Sequence, residues 1–456
     1  MEVNARGQDT FGHLVGVTFY EQGRFQYPEV SYSAFPGFHF LALPLYKITG
    51  IGYYSLAKLL AIAFHIVKLA AIWFLGSQLF KEKKAILFFT LLLLAFLWDN
   101  QQFDPGNQNM GFIFVLLILA CFFTPGMLSL GKRLLMVILY AVVVMTHPLS
   151  AIVVLLTLSF FVIMGLTGKD LGYNKDIKGA TLLLLFGVGF TAWVLYSSDW
   201  VLAQAIHMLR VLFTEQPLLP VSEVMYATQE VRTYAILVYS FFALLLIWGL
   251  TIVFNKEFLS KLSVRRVFPV LCIFPLVVTQ FLGVWALPRY YMLSTPFIAW
   301  FLARERATRK NIALFFLIIC ILFSFTLRYY AEYFDYNTTT DIYGTRFIAE
   351  KIPSSATYYR ANRANTTVKS LSNILDVPQW VDNMDLHRYA YRPGDDFQYS
   401  LDSERQKNNV IFKHGEERWN WVKEVLSANE AGIVYSNGEM RIRAYRSPIP
   451  SSPGEQ

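Results

Sequence analysis

Long apolar runs separated by short polar breaks fill the chain up to residue 328 and then stop. Ten of these runs read as helices: 52–76, 85–98, 108–123, 134–146, 150–167, 180–197, 234–254, 267–286, 290–303 and 311–328. Several are shorter than the ~20 residues that cross a bilayer perpendicularly, so their ends run into the flanking polar residues or the membrane is thinned there. The pattern predicts an α-helical polytopic membrane domain over 51–328, with a polar first loop at 1–50 and a separate domain at 329–456.

Two further helices are expected in the first loop. In "DTFGHLVGVTFYEQG", residues 9–23, Phe11, Leu14, Val15, Thr18 and Phe19 share one face and Gly23 closes the helix. In "FPGFHFLALPLYKITG", residues 35–50, Pro36 suits a first helical turn and Gly50 an end, while Pro44 interrupts the run. That segment is short for a span and reads as a helix lying along the membrane, with His39 in a structural role. Beyond 328 the period changes. "ATYYRAN" and "NNVIFK" read as strands, 339–351 and 416–428 as helices, and "GIVYSNGEMRIRAY" as a hairpin turning at Asn437-Gly438. A small α/β domain is the expectation for 329–456.

Charge adds sidedness. Alternate loops between the runs hold sixteen Lys and Arg, from Lys81, Lys83 and Lys84 through to Arg306, Arg309 and Lys310. The opposite loops hold Arg210, Arg232 and Arg289. Basic loops stay in the cytoplasm. Residues 1–50, the loops near 100, 147, 197–233 and 287, and everything after 328 are therefore expected outside. Composition agrees with a membrane protein: mean hydropathy is +0.40 and 16% of residues are charged, against about a quarter in soluble domains. The net charge of +8 needs no nucleic acid, because residues 329–456 carry 15 basic and 17 acidic residues. Cys121, Cys272 and Cys320 all fall within runs, as apolar core residues with no disulfide framework. An outside N-terminus with no export signal before residue 10 leads to the expectation that a first helix precedes this sequence.

Candidate chemistry clusters on the expected outer face. Asp9 opens the first surface helix, either as an N-cap or as a carboxylate presented as general base or metal ligand. His13, one turn on, faces the same side, either as a second catalytic candidate beside Asp9 or as a satisfied, solvated surface histidine. The loop "WDNQQFDPGNQN", 98–109, is rich in amides and carboxylates; Asp99 and Asp104 could join Asp9 around a hard cation, Mg or Mn. Asp104-Pro105-Gly106 alternatively forms a turn and a helix start. In "THPLS", His147 stands at the break between two helices, where a histidine is costly unless paired or solvated. His207 and Arg210 lie on the polar side of "LAQAIHMLRVLF", a candidate lid. Arg289 in "ALPRYYML", flanked by Tyr290 and Tyr291, suits a phosphate, or else snorkels to the headgroups. His147 and Arg210 join Arg289 and Tyr290 as the candidate phosphate ligands.

An outside acid opening a surface helix, then "YPEVSYSAFPGFHFLALPLYKITG", a polar second loop, "THPLSA" and "LPRYYMLSTPFIAWFLA" occur in this order over about residues 5–305. The order resembles the GT-C glycosyltransferases, among them protein O-mannosyltransferases, lipid A aminoarabinose transferases and the oligosaccharyltransferase catalytic subunit, and most of all their archaeal and bacterial relatives. The resemblance implies a hexosyl or pentosyl transferase of the cell envelope. Its donor would be a sugar on a polyprenyl phosphate or diphosphate, and its acceptor a protein, lipid or glycan. It implies that Asp9 is the catalytic acid and that Arg289 contacts the donor phosphate. Two departures stand out: family members often have two adjacent acids where this chain has Asp9-Thr10, and the helix that normally precedes the first loop is absent.

A transporter or flippase of lipid-linked or small-molecule substrates is the alternative. It would need polar groups inside the runs, and His65, Lys68 and Gln280 are the candidates. The concentration of polar groups on one face instead favours surface chemistry.

Overall fold

The computed structural model describes residues 8–21, 35–97, 106–124, 129–166, 177–197, 287–305 and 310–335, with single positions at 233–248 and at 347 and four short strands after 357. Ten helices run through these stretches: α1 Gln8–Glu21, α2 Gly37–Thr49, α3 Tyr53–Leu79, α4 Lys83–Phe96, α5 Asn107–Phe123, α6 Leu130–Thr146, α7 Pro148–Leu166, α8 Ile177–Ser197, α9 Leu287–Glu305 and α10 Lys310–Asp335. Eight of the ten expected runs coincide with α3 to α10. The run at 234–254 is described only at single helical positions, of which Phe241 and Trp248 are buried. Residues 267–286 lie outside the described residues.

The breaks follow local chemistry. Pro148 occupies the first turn of α7, where its missing N–H is no loss. Gly50 ends α2 with φ at +64°, a left-handed conformation that favours glycine, and its N–H returns to the Tyr46 carbonyl. Pro44 does not break α2, against the sequence expectation. It lies on the exposed side of the helix, where the carbonyl freed by its missing N–H can be solvated.

α3, α5 and α4 pack together, α6 and α7 flank α5, α8 closes on α6 and α7, and α9 and α10 lie against α4. Aromatic contacts tie the layers. Tyr140 of α6 stacks on Phe186 of α8 at 4.0 Å between ring centroids, and Phe123 of α5 meets Trp300 of α9 at 5.3 Å. The outward faces are as apolar as the inward ones. Leu59, Ile62, Ile66 and Trp73 of α3, Leu134 and Ile138 of α6, Leu184 and Val188 of α8, and Phe315, Ile318 and Leu322 of α10 are all exposed. A soluble monomer rarely shows apolar patches this extensive, whereas hydrocarbon accepts them. Among the described residues, Ser55–Leu79 and Gly179–Tyr196 are long and apolar enough to cross a membrane, and Asn107–Phe123, Pro148–Ser159 and Ala313–Arg328 are shorter apolar helices.

α1 and α2 sit across one end of this bundle. Residues near the start of α1 meet the start of α2, and Glu21 at its end meets Lys47 near the end of α2, so the two helices run in the same direction. Glu21 pairs with Lys47 and accepts a hydrogen bond from the Tyr53 hydroxyl at the head of α3. Tyr53 in turn stacks on Tyr46 at 4.0 Å. Burial acts to raise the Glu21 pKa, but the hydrogen bonds from Lys47 and Tyr53 and the Lys47 charge outweigh it and hold the carboxyl below its ordinary value. The carboxyl thus titrates lower in the folded than in the unfolded chain. Its stabilisation is complete above the unfolded value near ~4.3 and is lost as pH falls through the folded value. The melting temperature of Glu21→Gln is therefore expected to converge on that of the wild type as pH drops below about 4, with the gap open at neutral pH.

Gly37 marks the closest approach of α2 to the bundle. A Cβ there would stand 2.2 Å from the Thr146 methyl and 3.2 Å from the Met145 carbonyl. Gly37→Ala is expected to destabilise the fold by about 1–3 kcal/mol through overpacking. Thr146→Ser removes the methyl while keeping a hydroxyl for the bond to the Val143 carbonyl, so the double variant should recover much of the loss. Thermal unfolding reads both; additive losses would contradict the contact.

After residue 357, strands β1 Tyr358–Arg360, β2 Tyr399–Ser403, β3 Ala431–Ser436 and β4 Met440–Tyr445 form one sheet in the order β1-β2-β4-β3. β1 and β2 are parallel, and the other pairs antiparallel. β3 and β4 are the hairpin expected from the sequence, with a register irregularity between Ile433 and Tyr435. β1 falls within the expected "ATYYRAN" strand, and β2 was not foreseen. The turn at Asn437-Gly438, "NNVIFK" and the helix at 416–428 lie outside the described residues, as does 339–351 apart from Phe347.

Candidate functional site

The end of the bundle under α1 and α2 collects four helix termini. α5 begins there at Asn107, α6 ends at Thr146, α7 begins at Pro148, and Met292 near the start of α9 lies 4.0 Å from the Gln108 amide. Asn107 is the fastener. Its Oδ1 accepts from the Phe38 N–H at 2.9 Å and its Nδ2 donates to the Phe35 carbonyl at 2.6 Å. The first turn of α2, which has no side-chain cap of its own, is thereby capped by a residue 69 positions away in sequence. Both partners are buried, and an unmade hydrogen bond there would cost about 1–3 kcal/mol.

α1 contributes a buried face of His13, Leu14, Val17, Thr18 and Tyr20. This corrects the sequence expectation in two ways. Asp9 is not the residue before the helix but its second residue, one turn before His13. His13 is not solvated; it is 4% exposed and turned inward. The backbone of Gly106 lies against its ring, since a Cβ at Gly106 would stand 3.0 Å from His13 Cδ2. On its other sides the His13 ring lies 5.6 Å from those of Phe38 and His39. A ring in this position binds the first surface helix to the head of α5 and to α2. A side chain at residue 106 would need the His13 ring to give by a few tenths of an ångström.

His39 is fully buried between His13 and Tyr20, 5.2 Å from the latter, and both of its ring nitrogens lack a hydrogen bond among the described residues. Burial, reinforced by the charge of His13, pushes its pKa well below the ordinary histidine value. His39 is thus neutral at physiological pH. Burial likewise raises the Tyr20 pKa, so that phenol stays protonated.

His147 stands in extended conformation between α6 and α7. Its Nδ1 accepts from the Ser150 N–H at 3.3 Å and lies 2.9 Å from the Ser150 hydroxyl. With Nδ1 as acceptor, the proton of the neutral ring sits on Nε2, which can donate to an anionic oxygen. Gly111 of α5 makes room for this arrangement: a Cβ there would stand 3.0 Å from both His147 Cβ and Ser150 Oγ.

The backbone of Arg289 and Tyr290 lies in the first turn of α9, one turn before Met292, and hence at the same end as His13, Asn107 and His147. Arg210, Asp99 and Asp104 lie outside the described residues, although Asp104 is tethered two residues before Gly106. Among the described residues, no group of three or more His, Cys, Asp and Glu could hold a metal ion. Sequence reasoning passed over Gly106, Asn107 and His39 as partners of the site. Asn107 was visible only as one amide in a polar loop.

No family model matches the chain, and no curated protein matches it. Among solved structures, the oligosaccharyltransferase of Archaeoglobus fulgidus, in complex with zinc and sulfate, superposes with a TM-score of 0.47 at 11% identity, over 97% of this chain and 70% of that one. At this TM-score and identity the likeness is too loose to carry a functional assignment.

Proposed function

We propose that this chain is a membrane glycosyltransferase that moves a sugar from a polyprenyl phosphate or diphosphate to a protein, lipid or glycan acceptor on the outer face of the membrane. The observation that carries this reading is the convergence, at one end of an apolar bundle, of the helix bearing Asp9, the α6–α7 junction bearing His147 and the head of α9 bearing Arg289. A lipid-linked donor needs an apolar surface for its tail and, at the same level, a cation for its phosphate and a base for the acceptor. The apolar outer faces of α3 and α10 supply the first.

In this proposal the acceptor hydroxyl or amide attacks the anomeric carbon while its proton passes to the Asp9 carboxylate. The bond from the anomeric carbon to the phosphate oxygen breaks, and the phosphate leaves with the bonding electrons. Arg289 meets the developing charge, aided by Nε2–H of His147, Tyr290 and Arg210. His13 holds α1 against Gly106, which fixes Asp9 one turn away, about 6 Å along the helix axis. Asp9, Asp99 and Asp104 are the proposed ligands of a divalent cation, Mg or Mn, through hard oxygen donors.

Mass spectrometry of surface glycans from cells lacking the gene tests this reading. The expected result is the loss of one sugar, restored by the wild-type chain and not by Asp9→Asn. Unchanged glycans would contradict it.

A further inference from the structure

We propose that the contact between His39 and His13 is an acid-sensitive latch: with His39 neutral it holds the head of α1, and with it Asp9, on α2 and α5, and a proton taken up by His39 releases that head while the far end of α1 stays bound. His39 lies in the first turn of α2 and is fully buried. Its ring is 5.6 Å from that of His13, 5.2 Å from that of Tyr20 and 6.2 Å from that of Phe38. Phe38 in turn meets Phe64 of α3 at 6.4 Å. Among the described residues, neither nitrogen of the His39 ring has a hydrogen-bond partner. A cationic imidazole carries two N–H donors and a full charge, so it fits this aromatic pocket far worse than a neutral one. The same ring contacts, together with Gly106 against His13, are what seat the head of α1.

The groups around the pocket single out His39. From α1, His13 and Tyr20 face it, while Glu21 at the other end of that helix is paired with Lys47 of α2 and the Tyr53 hydroxyl of α3. α3 also carries Lys58, His65 and Lys68, and meets Phe38 through Phe64. The head of α5 brings the amides Asn107, Gln108 and Asn109. α6 brings Thr146 against Gly37, with His147 next in sequence and Lys132 and Arg133 at its opposite end. Of these groups His13 is the one whose charge acts on His39, and it opposes protonation. In the released chain His39 titrates near the ordinary ~6.5, and in the docked one well below it. The released form therefore takes up the proton first. Docking is at full strength above about pH 6.5; below that the balance shifts toward release by about tenfold per pH unit until the docked value is reached. The Glu21 carboxyl, held below its ordinary value, stays charged through this range, so Lys47 and Tyr53 keep the other end of α1 in place. Release of α1 is independent of the reaction; only its effect on sugar transfer rests on the function proposed above.

Amide hydrogen exchange of the full-length protein in nanodiscs, read by mass spectrometry at about pH 8 and about pH 5 and corrected for intrinsic exchange rates, tests the latch. Peptides covering α1 are expected to lose protection by about tenfold or more at the lower pH, while those of α3 and α5 keep theirs. His39→Phe fills the same pocket and cannot take up a proton, so its α1 should stay protected at both values. His39→Leu should behave likewise, and thermal unfolding at the higher pH shows whether each variant folds. Protection of α1 that is the same at both values in the wild type, a result that needs no variant, overturns the proposal. So does protection lost equally in the wild type and in the variants that fold. Release of α1 at the lower pH in a wild type that transfers no sugar at any pH would keep the latch and remove the enzyme. Transfer at the higher pH, with α1 protection constant throughout, would do the reverse.

Discussion

Asp9→Asn is expected to slow sugar transfer from a polyprenyl carrier by roughly 10²–10⁴-fold, the range a positioned general base supplies. The substitution is nearly isosteric. An amide retains the ability to accept at a helix N-terminus, so α1 should keep its place. Its anchors are elsewhere in any case: His13 against Gly106, and Glu21 against Lys47 and Tyr53. The loss should therefore fall on kcat, with little change in the KM for the lipid-linked donor and none in the melting temperature. Asp9→Glu, which keeps the carboxylate and displaces it, should retain part of the activity. A wild-type rate in Asp9→Asn would remove Asp9 from the chemistry and leave it as a helix-end residue.

Arg289→Ala is expected to lower kcat by roughly 10²–10³-fold, as loss of a donor to a developing oxyanion does elsewhere. Here the KM for the donor should rise as well, because a cation meets the ground-state phosphate before it meets the leaving group. Arg289→Lys should recover only part, since the ammonium cannot make the two parallel hydrogen bonds of the guanidinium. His147→Ala should fall short of the Arg289 effect, because a neutral Nε2–H carries no charge. Equal rates for wild type and Arg289→Ala would favour the snorkelling role for this residue.

Helix breaks with a local cause were legible in the sequence. Pro148 opening α7, Gly50 closing α2 and Gly106 ahead of Asn107 each act through their own backbone preferences. The β3–β4 hairpin was legible for the same reason, as alternating residues around a turn pair. The candidate site was legible as a set of residue types on one face, but not as an arrangement. Asn107 caps a helix 69 positions away, and no local pattern carries that. His13 reads from the sequence as either a catalyst or a surface residue, because helical spacing puts it on the side of Asp9. Its burial depends on Gly106 and His39, which meet it only once α1 and α2 lie on the head of α5. Pro44 was read as a breaker because propensity ignores which face of the helix must lose the bond.

The central claim is that the chain transfers a sugar rather than moving a lipid or solute. Purified full-length protein in proteoliposomes containing a radiolabelled polyprenyl-linked sugar, supplied with membrane extract as acceptor, measures this directly. The predicted result is that label leaves the carrier and appears in the acceptor fraction, with Asp9→Asn leaving it on the lipid. Label that stays on the carrier while crossing to the other leaflet, in wild type and Asp9→Asn alike, would contradict the account and establish a transporter.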